Sequence, residues 1–377
     1  LIYYGIGSAV EVDGMAENKD AGHQNQEGGQ KEHVRRARYK GVYPKKYEEK
    51  YKELNPDKYA DTLAHVKEKG ITPAGTHIPI MVNEILDVLQ IRPGMTGMDA
   101  TLGYGGHTSR MLEKLEHRGH IYATDVDPIE SVKTKERLAK LGYGEEILSI
   151  RLMNFAQMDE LVKESGPFDF ILADLGVSSM QIDNPERGFS YKTDGLLDLR
   201  MNPQQGMSAA ERLAEMDEEE ITGMLIDNAD EPYAQEIARQ LCQDRKRGRK
   251  IETTTQLREE VEKVLLRVKG IKPEERAEVM KKSCARVFQA LRIDVNQEYE
   301  VLYAFLEKLP GALKPGGRVA VLTFHSGEDR LVKKSFRELY QRGVYSEIAQ
   351  EVTRPSPQEC VQNSRARSTK LRWAIKS

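Results

Sequence analysis

Met98-Asp99-Ala100-Thr101-Leu102-Gly103-Tyr104-Gly105-Gly106-His107 begins as an apolar, strand-like lead-in, reaches an acid, and then places three glycines within four positions. A helix-like run follows over 108–115. A strand that turns through glycines into a helix offers backbone N–H groups and the positive end of a helix dipole to a ligand. The glycines let backbone approach that ligand, because no Cβ stands in the way. About twenty residues on, Ile121-Tyr122-Ala123-Thr124-Asp125 ends a second short apolar run in an acid, where nucleotide folds place a carboxylate for ribose hydroxyls. The pattern predicts an α/β fold with a pocket for an adenosine-bearing cofactor.

The identity of that cofactor is a separate question. The loop reads Gly103-x-Gly105-Gly106, which departs from the G-x-G-x-x-G of dinucleotide binders and lacks a Gly-Lys-Ser/Thr ending. Asp99, just before the turn, would repel a pyrophosphate. It suits the ammonium group of S-adenosylmethionine, which carries no phosphate.

Outward from this centre, periodicity predicts helices over 82–89 and 129–141, and strands over 147–152, 168–174 and 319–324. Asn154-Phe155 follows the third strand, where such a fold touches adenine, and the fourth strand ends in Asp174. From Leu175 to Met201 the chain is polar, glycine-punctuated and too long for a plain connection, which marks a functional loop. Amphipathic helices are predicted over 209–216, 218–228, 233–242, 255–268, 273–280 and 284–307. The basic run Arg245-Lys246-Arg247-Gly248-Arg249-Lys250 interrupts them and reads as a solvated loop or a phosphate contact.

The 377 residues suffice for two domains or one with a large insertion. Hydrophobic residues make up 39% and charged residues 31%, mean hydropathy is -0.61, and no apolar run approaches the ~20 residues that span a bilayer. These values predict a cytoplasmic protein with no membrane contact. The net charge of -3 conceals basic stretches. Residues 31–60, with interleaved tyrosines, carry roughly +5, and the chain from Arg330 on carries roughly +7. Cys242, Cys284 and Cys360 have no C-x-x-C spacing and read as free thiols, so no metal is expected. The first fourteen residues lack the pattern of a signal peptide, and the first thirty read as disordered.

Six motifs then recur in one order: Gly105-Gly106-His107-Thr108, Asp174-Leu175-Gly176-Val177-Ser178-Ser179-x-Gln181, Glu186-Arg187-Gly188-Phe189-Ser190, Leu197-Asp198-Leu199-Arg200-Met201, Phe324-His325-Ser326-x-Glu328-Asp329-Arg330 and Arg365-Ala366-Arg367-Ser368. Together they make the chain, from about Thr76 to its end, resemble the bacterial 16S ribosomal RNA cytosine-N4 methyltransferases. The resemblance implies a Rossmann-like S-adenosylmethionine domain with a helical insertion. It implies a partner, 16S ribosomal RNA in the small subunit, and methylation of one cytosine in its decoding region. Gly105, Gly106, His107, Asp125, Phe155, Asp174 and Gln181 are the implied cofactor contacts. Met180 and Gly327 depart from the family pattern, which has proline and leucine there. The resulting division is an N-terminal extension (1–75), a first core part (76–204), a helical insertion (205–295) and a second core part with a basic tail (296–377). The oligomeric state stays open between a monomer and a homodimer.

Methyl transfer from a sulfonium needs alignment of an acceptor rather than a metal or a covalent intermediate. The cytosine N4 lone pair is delocalised into the ring, so an acceptor for an N4 hydrogen would localise it. Asp174 is the catalytic candidate, with a cofactor contact or a structural turn as its other readings. The aromatic of DNA amino-methyltransferases is missing after Asp174, which leaves Phe189, Tyr191 or His325 to hold the base. His325 reads equally as a capping or buried histidine, and Asp198 with Arg200 as an ion pair bracing the loop. Because a methylated N4 is strongly acidic, activity is expected to stay flat from neutral to alkaline pH.

Overall fold

The computed structural model describes residues 79–377. The basic tyrosine-rich stretch, the helix expected over 58–69 and the rest of the N-terminal extension lie outside the described residues. After helix α1 (Val82–Leu89) the chain alternates strand and helix: β1 (Thr96–Asp99), α2 (Gly106–Leu115), β2 (His120–Asp125), α3 (Pro128–Lys140), β3 (Leu148–Leu152), α4 (Met158–Ser165) and β4 (Phe168–Asp174). A short helix, α5 (Ser179–Asp183), opens the long loop, and α6 (Ala209–Glu215) to α10 follow it. These are α7 (Glu218–Ala229), α8 (Ala234–Lys246), α9 (Thr254–Arg267) and α10 (Pro273–Asn296). The chain returns through α11 (Glu298–Ala312), β5 (Leu313–Thr323), α12 (Ser326–Gln341), β6 (Tyr345–Ile348), α13 (Pro357–Gln362) and β7 (Lys370–Lys376).

The seven strands form one sheet in the order β3-β2-β1-β4-β5-β7-β6. The first five are parallel, and β7 runs antiparallel between β5 and β6. Parallel strands joined by helices are covered on both faces, so they read as unbroken apolar runs. Phe170, Ile171, Leu172 and Ala173 of β4 are accordingly all buried. One face packs against Leu302, Phe305 and Leu309 of α11, the other against Ile85 and Leu89 of α1 and Met111 and Leu115 of α2. The helices α6 to α10 enclose a separate apolar cluster that includes Leu213, Ile237, Leu257 and Val287. Strand order reverses between β1 and β4. In an open α/β sheet, ligands bind at such a switch point, outside the carboxyl ends of the strands.

Three helix boundaries differ from the sequence reading. The helix expected over 233–242 runs on to Lys246 and takes in the first two residues of the basic run. The expected helices 273–280 and 284–307 leave a gap at Lys281-Lys282-Ser283, yet α10 runs through it, with the lysines facing solvent and the Ser283 hydroxyl donating to buried Glu231 at 2.8 Å. The break comes instead at Gln297, whose φ of 51° turns the chain into α11. The basic C-terminal stretch is also no free tail. Arg372 sits buried in β7 with its Nε 2.6 Å from Asp329, Lys370 pairs the same acid at 3.0 Å, and Arg365 pairs Asp183 at 2.7 Å.

Candidate active site

Three strands end in acids at the switch-point edge: Asp99 on β1, Asp125 on β2 and Asp174 on β4. A cavity of ≈ 620 Å³ opens above them. Its lining includes Gly103, Gly106, His107, Asp125, Phe155, Asp174 and Gln181. Gly105 lies beneath it rather than on it: its φ is 71°, and a Cβ there would come within 2.9 Å of Thr134 and 3.0 Å of Leu138 on α3. A Cβ at Gly106 would strike Pro79 at 2.6 Å. The turn is therefore packed so tightly from behind that only glycine keeps its backbone at the cavity wall.

Asp125 accepts from the Gly103 N–H and the Asp127 N–H, each at 2.8 Å. Each carboxylate oxygen keeps a second lone pair, so ribose hydroxyls fit as further donors. Burial pushes its pKa up to about 6, against the pull of those two backbone donors. Phe155 opens a short helical turn after β3 and is held edge-on by Phe305, with centroids 5.2 Å apart, which fixes an aromatic surface for a purine. The glycine turn, the acid and the aromatic match an adenosine-bearing ligand, and S-adenosylmethionine fits.

Asp99 does not take the position expected for an ammonium partner. It is 1% exposed, beneath the turn, and accepts from Thr108 Oγ1 at 2.6 Å and the Thr101 N–H at 3.1 Å. Burial raises its pKa, with the Thr108 hydrogen bond opposing. Asp174 faces the cavity: its Oδ2 lies 3.3 Å from His107 Nδ1, and its Oδ1 is buried without a hydrogen-bond partner among the described residues. Thr101 Oγ1 accepts from the Asp174 N–H at 2.7 Å and ties the ends of β1 and β4 together.

Gln181 lines the cavity, but its side chain is already employed. Its Oε1 accepts from the Ser178 N–H at 2.8 Å in a reciprocal helix cap, and its Nε2 donates to Asp127 at 2.8 Å. Asp127, which also caps α3, and Arg187, which pairs it, are site-forming residues that sequence reasoning missed. The available signal was the Asp127-Pro128 helix start. Met180 fills an apolar position at 3% exposure. Asp198 and Arg200 do form the expected pair, with two contacts at 2.7 Å.

The aromatic candidates for holding a base are placed elsewhere. Phe189 and Tyr191 pack against the helical cluster, with Tyr191 5.7 Å from the Phe288 ring. His325 turns into a neighbouring cavity of ≈ 350 Å³ beside Tyr299. There its Nε2 lies 3.2 Å from Glu328, whose own pKa burial would raise but the histidine holds below the ordinary range. A side chain at Gly327 would collide with Tyr299, so the tyrosine fills the space that the family's usual leucine would need. Phe324, which sequence reasoning did not single out, lines the main cavity instead. Glu298 also lines it and is held by Arg292 through contacts of 2.7 and 2.8 Å.

Comparison with known proteins agrees with this geometry. Residues 74–377 match the model of the MraW methylase family. Ribosomal RNA small subunit methyltransferase H 1 of Agathobacter rectalis is 63% identical over 349 residues, covering 92% of this chain and 99% of that protein. The protein of the same name in Lachnoclostridium phytofermentans is 63% identical over 346 residues, covering 92% and 93%. Ribosomal RNA small subunit methyltransferase H 2 of Alkaliphilus metalliredigens is 60% identical, covering 91% and 97%. The glycine turn, the buried acid at the end of β2 and this likeness converge: the chain belongs to the MraW methylase family and is an S-adenosylmethionine-dependent methyltransferase.

Proposed function

We propose that the chain methylates the exocyclic N4 of one cytosine in the decoding region of 16S ribosomal RNA, within the small ribosomal subunit. The names of its relatives support ribosomal RNA of the small subunit as substrate. The observation that carries the choice of an amino group is the carboxylate of Asp174, which lines the cavity at the switch point and keeps acceptor capacity beyond its contact with His107. An N4 hydrogen is a donor that this acceptor suits.

S-adenosylmethionine would supply an activated methyl group, its S–CH3 bond breaking so that the sulfur leaves as the neutral thioether of S-adenosylhomocysteine. Gly103, Gly106, Asp125 and Phe155 would hold the nucleoside part of that cofactor. Asp174 would accept one N4 hydrogen, which localises the N4 lone pair and orients the amine. The target base must leave its stack to arrive there. The methylated N4 then releases its proton to water, since such a cation is strongly acidic. Nucleoside mass spectrometry of 16S ribosomal RNA, with and without this protein, tests the reading. Appearance of N4-methylcytidine at one site is expected. Cofactor binding without any change in the RNA would overturn it.

A further inference from the structure

We propose that His107 is a positioning residue that carries a proton in the working enzyme and clamps Asp174 through Oδ2, fixing the carboxylate plane that meets the substrate amine. The inference rests on the role given to Asp174 above. His107 is the second residue of α2, and its side chain is 10% exposed. Its Nε2 lies 2.9 Å from the carbonyl oxygen of Ile80, and its Nδ1 lies 3.3 Å from Asp174 Oδ2. Both neighbours only accept. A neutral imidazole has one N–H, so either tautomer sets a bare nitrogen against an oxygen lone pair. Only the imidazolium donates in both directions.

The charged side chains around the ring favour that state, against the positive end of the α2 dipole. Asp174 reaches the ring from β4, and Asp99 stands at the end of neighbouring β1. Glu359 of α13 accepts from the N–H of Met81, next to Ile80. Arg365, on the same cavity, is taken up by Asp183. Burial works to lower the His107 pKa, but Asp174, with the Ile80 carbonyl and the charge of Asp99 adding to it, outweighs burial and raises it above the ordinary histidine value. With Oδ2 fixed, the carboxylate plane of Asp174 is fixed, and so is the line along which N4 must donate. A neutral His107 releases that plane, and misplacing a reacting group by about 1 Å costs on the order of 10²-fold in rate. The flat alkaline profile expected from sequence is thereby replaced by a falling one.

The test uses the full chain with ¹⁵N-labelled histidine, His107→Gln to assign the His107 signal, and single-turnover methylation of unmethylated small ribosomal subunits against pH. At pH 7 the His107 ring should show two N–H nitrogens and titrate above the ordinary ~6.5. The methylation rate should fall at least tenfold on the alkaline side with the same midpoint, a profile that needs no variant to measure. Asp174→Asn should move the His107 midpoint down. A neutral His107 at pH 7, a midpoint indifferent to Asp174→Asn, or a rate without an alkaline limb would each overturn the proposal. If the titration behaves as stated while Asp174→Asn methylates at the full rate, the clamp stands and the reading of Asp174 as the amine acceptor fails.

Discussion

Arg187 places its Nη1 2.6 Å from Oδ2 of Asp127, across 60 residues of sequence, with the two side chains 8% and 0% exposed. The same guanidinium donates to the carbonyls of Arg200 and Met201 at 3.0 and 2.7 Å. One buried arginine thus joins the start of α3, the loop after β4 and the entrance to the helical cluster. Removing one partner of such a pair leaves an uncompensated buried charge. Arg187→Ala should therefore cost about 3–5 kcal/mol of stability. Urea unfolding of the two proteins measures it, and a difference under about 1 kcal/mol, the level of an exposed pair, would refute the assignment.

If Asp125 accepts from ribose hydroxyls as proposed, cofactor binding should depend on pH. Those hydroxyls would donate to its ionised form, and burial raises its pKa to about 6. Affinity for S-adenosylmethionine should weaken as pH falls through that value, by up to about tenfold per unit for one linked proton. The sign for stability is opposite. The folded pKa lies above the unfolded 3.8, so the stabilising contribution is present below 3.8 and is lost as pH rises through about 6 in the cofactor-free chain. Asp125→Ala should weaken binding by about 1.5–3 kcal/mol at neutral pH. Calorimetry at pH 5 and pH 7.5 giving equal affinities would dismiss this role.

Asp174→Asn keeps the shape and one acceptor oxygen but removes the charge. The single-turnover rate should fall by roughly 10²-fold while affinity for the RNA stays put. A collapse of cofactor affinity with no separate effect on the rate would make Asp174 a cofactor residue only.

The two basic clusters should separate in experiment. Lys246, Arg247, Arg249 and Lys250 are exposed, although Arg247 and Arg249 lie within 3.6 and 3.5 Å of Asp244. Replacing these four with Ser or Gln should weaken RNA binding and flatten its salt dependence. Arg245 belongs to the fold, because it donates to the carbonyls of Leu213, Ala214 and Met216 at the C-terminal end of α6. Arg372→Gln should act on folding instead, costing about 3 kcal/mol, because it strips Asp329 of its closest partner. A salt slope unchanged by the first replacement, or lowered by the second without loss of stability, would reverse the assignment.

Local chemistry made much of this protein legible before any coordinates. The strands of a parallel sheet are buried on both faces, so β2 and β4 announce themselves as apolar runs, and their terminal acids mark the edge where a ligand sits. The glycine turn from Gly103 to Gly106 declares itself because no other residue tolerates its backbone and its packing. The motifs from Gly105 to Ser368 carried the resemblance, and the family match followed. What the sequence left undetermined are pairings between distant segments. Nothing local says that Arg372 enters a strand and meets Asp329, that Asp99 turns under the loop, or that Phe189 and Tyr191 serve the helical cluster. Nor does His107 in isolation reveal the carbonyl and the carboxylate between which it sits. Apolar periodicity and backbone conformation are properties of neighbours in the chain, whereas a buried charge finds its partner only when folding excludes the water that would otherwise solvate it.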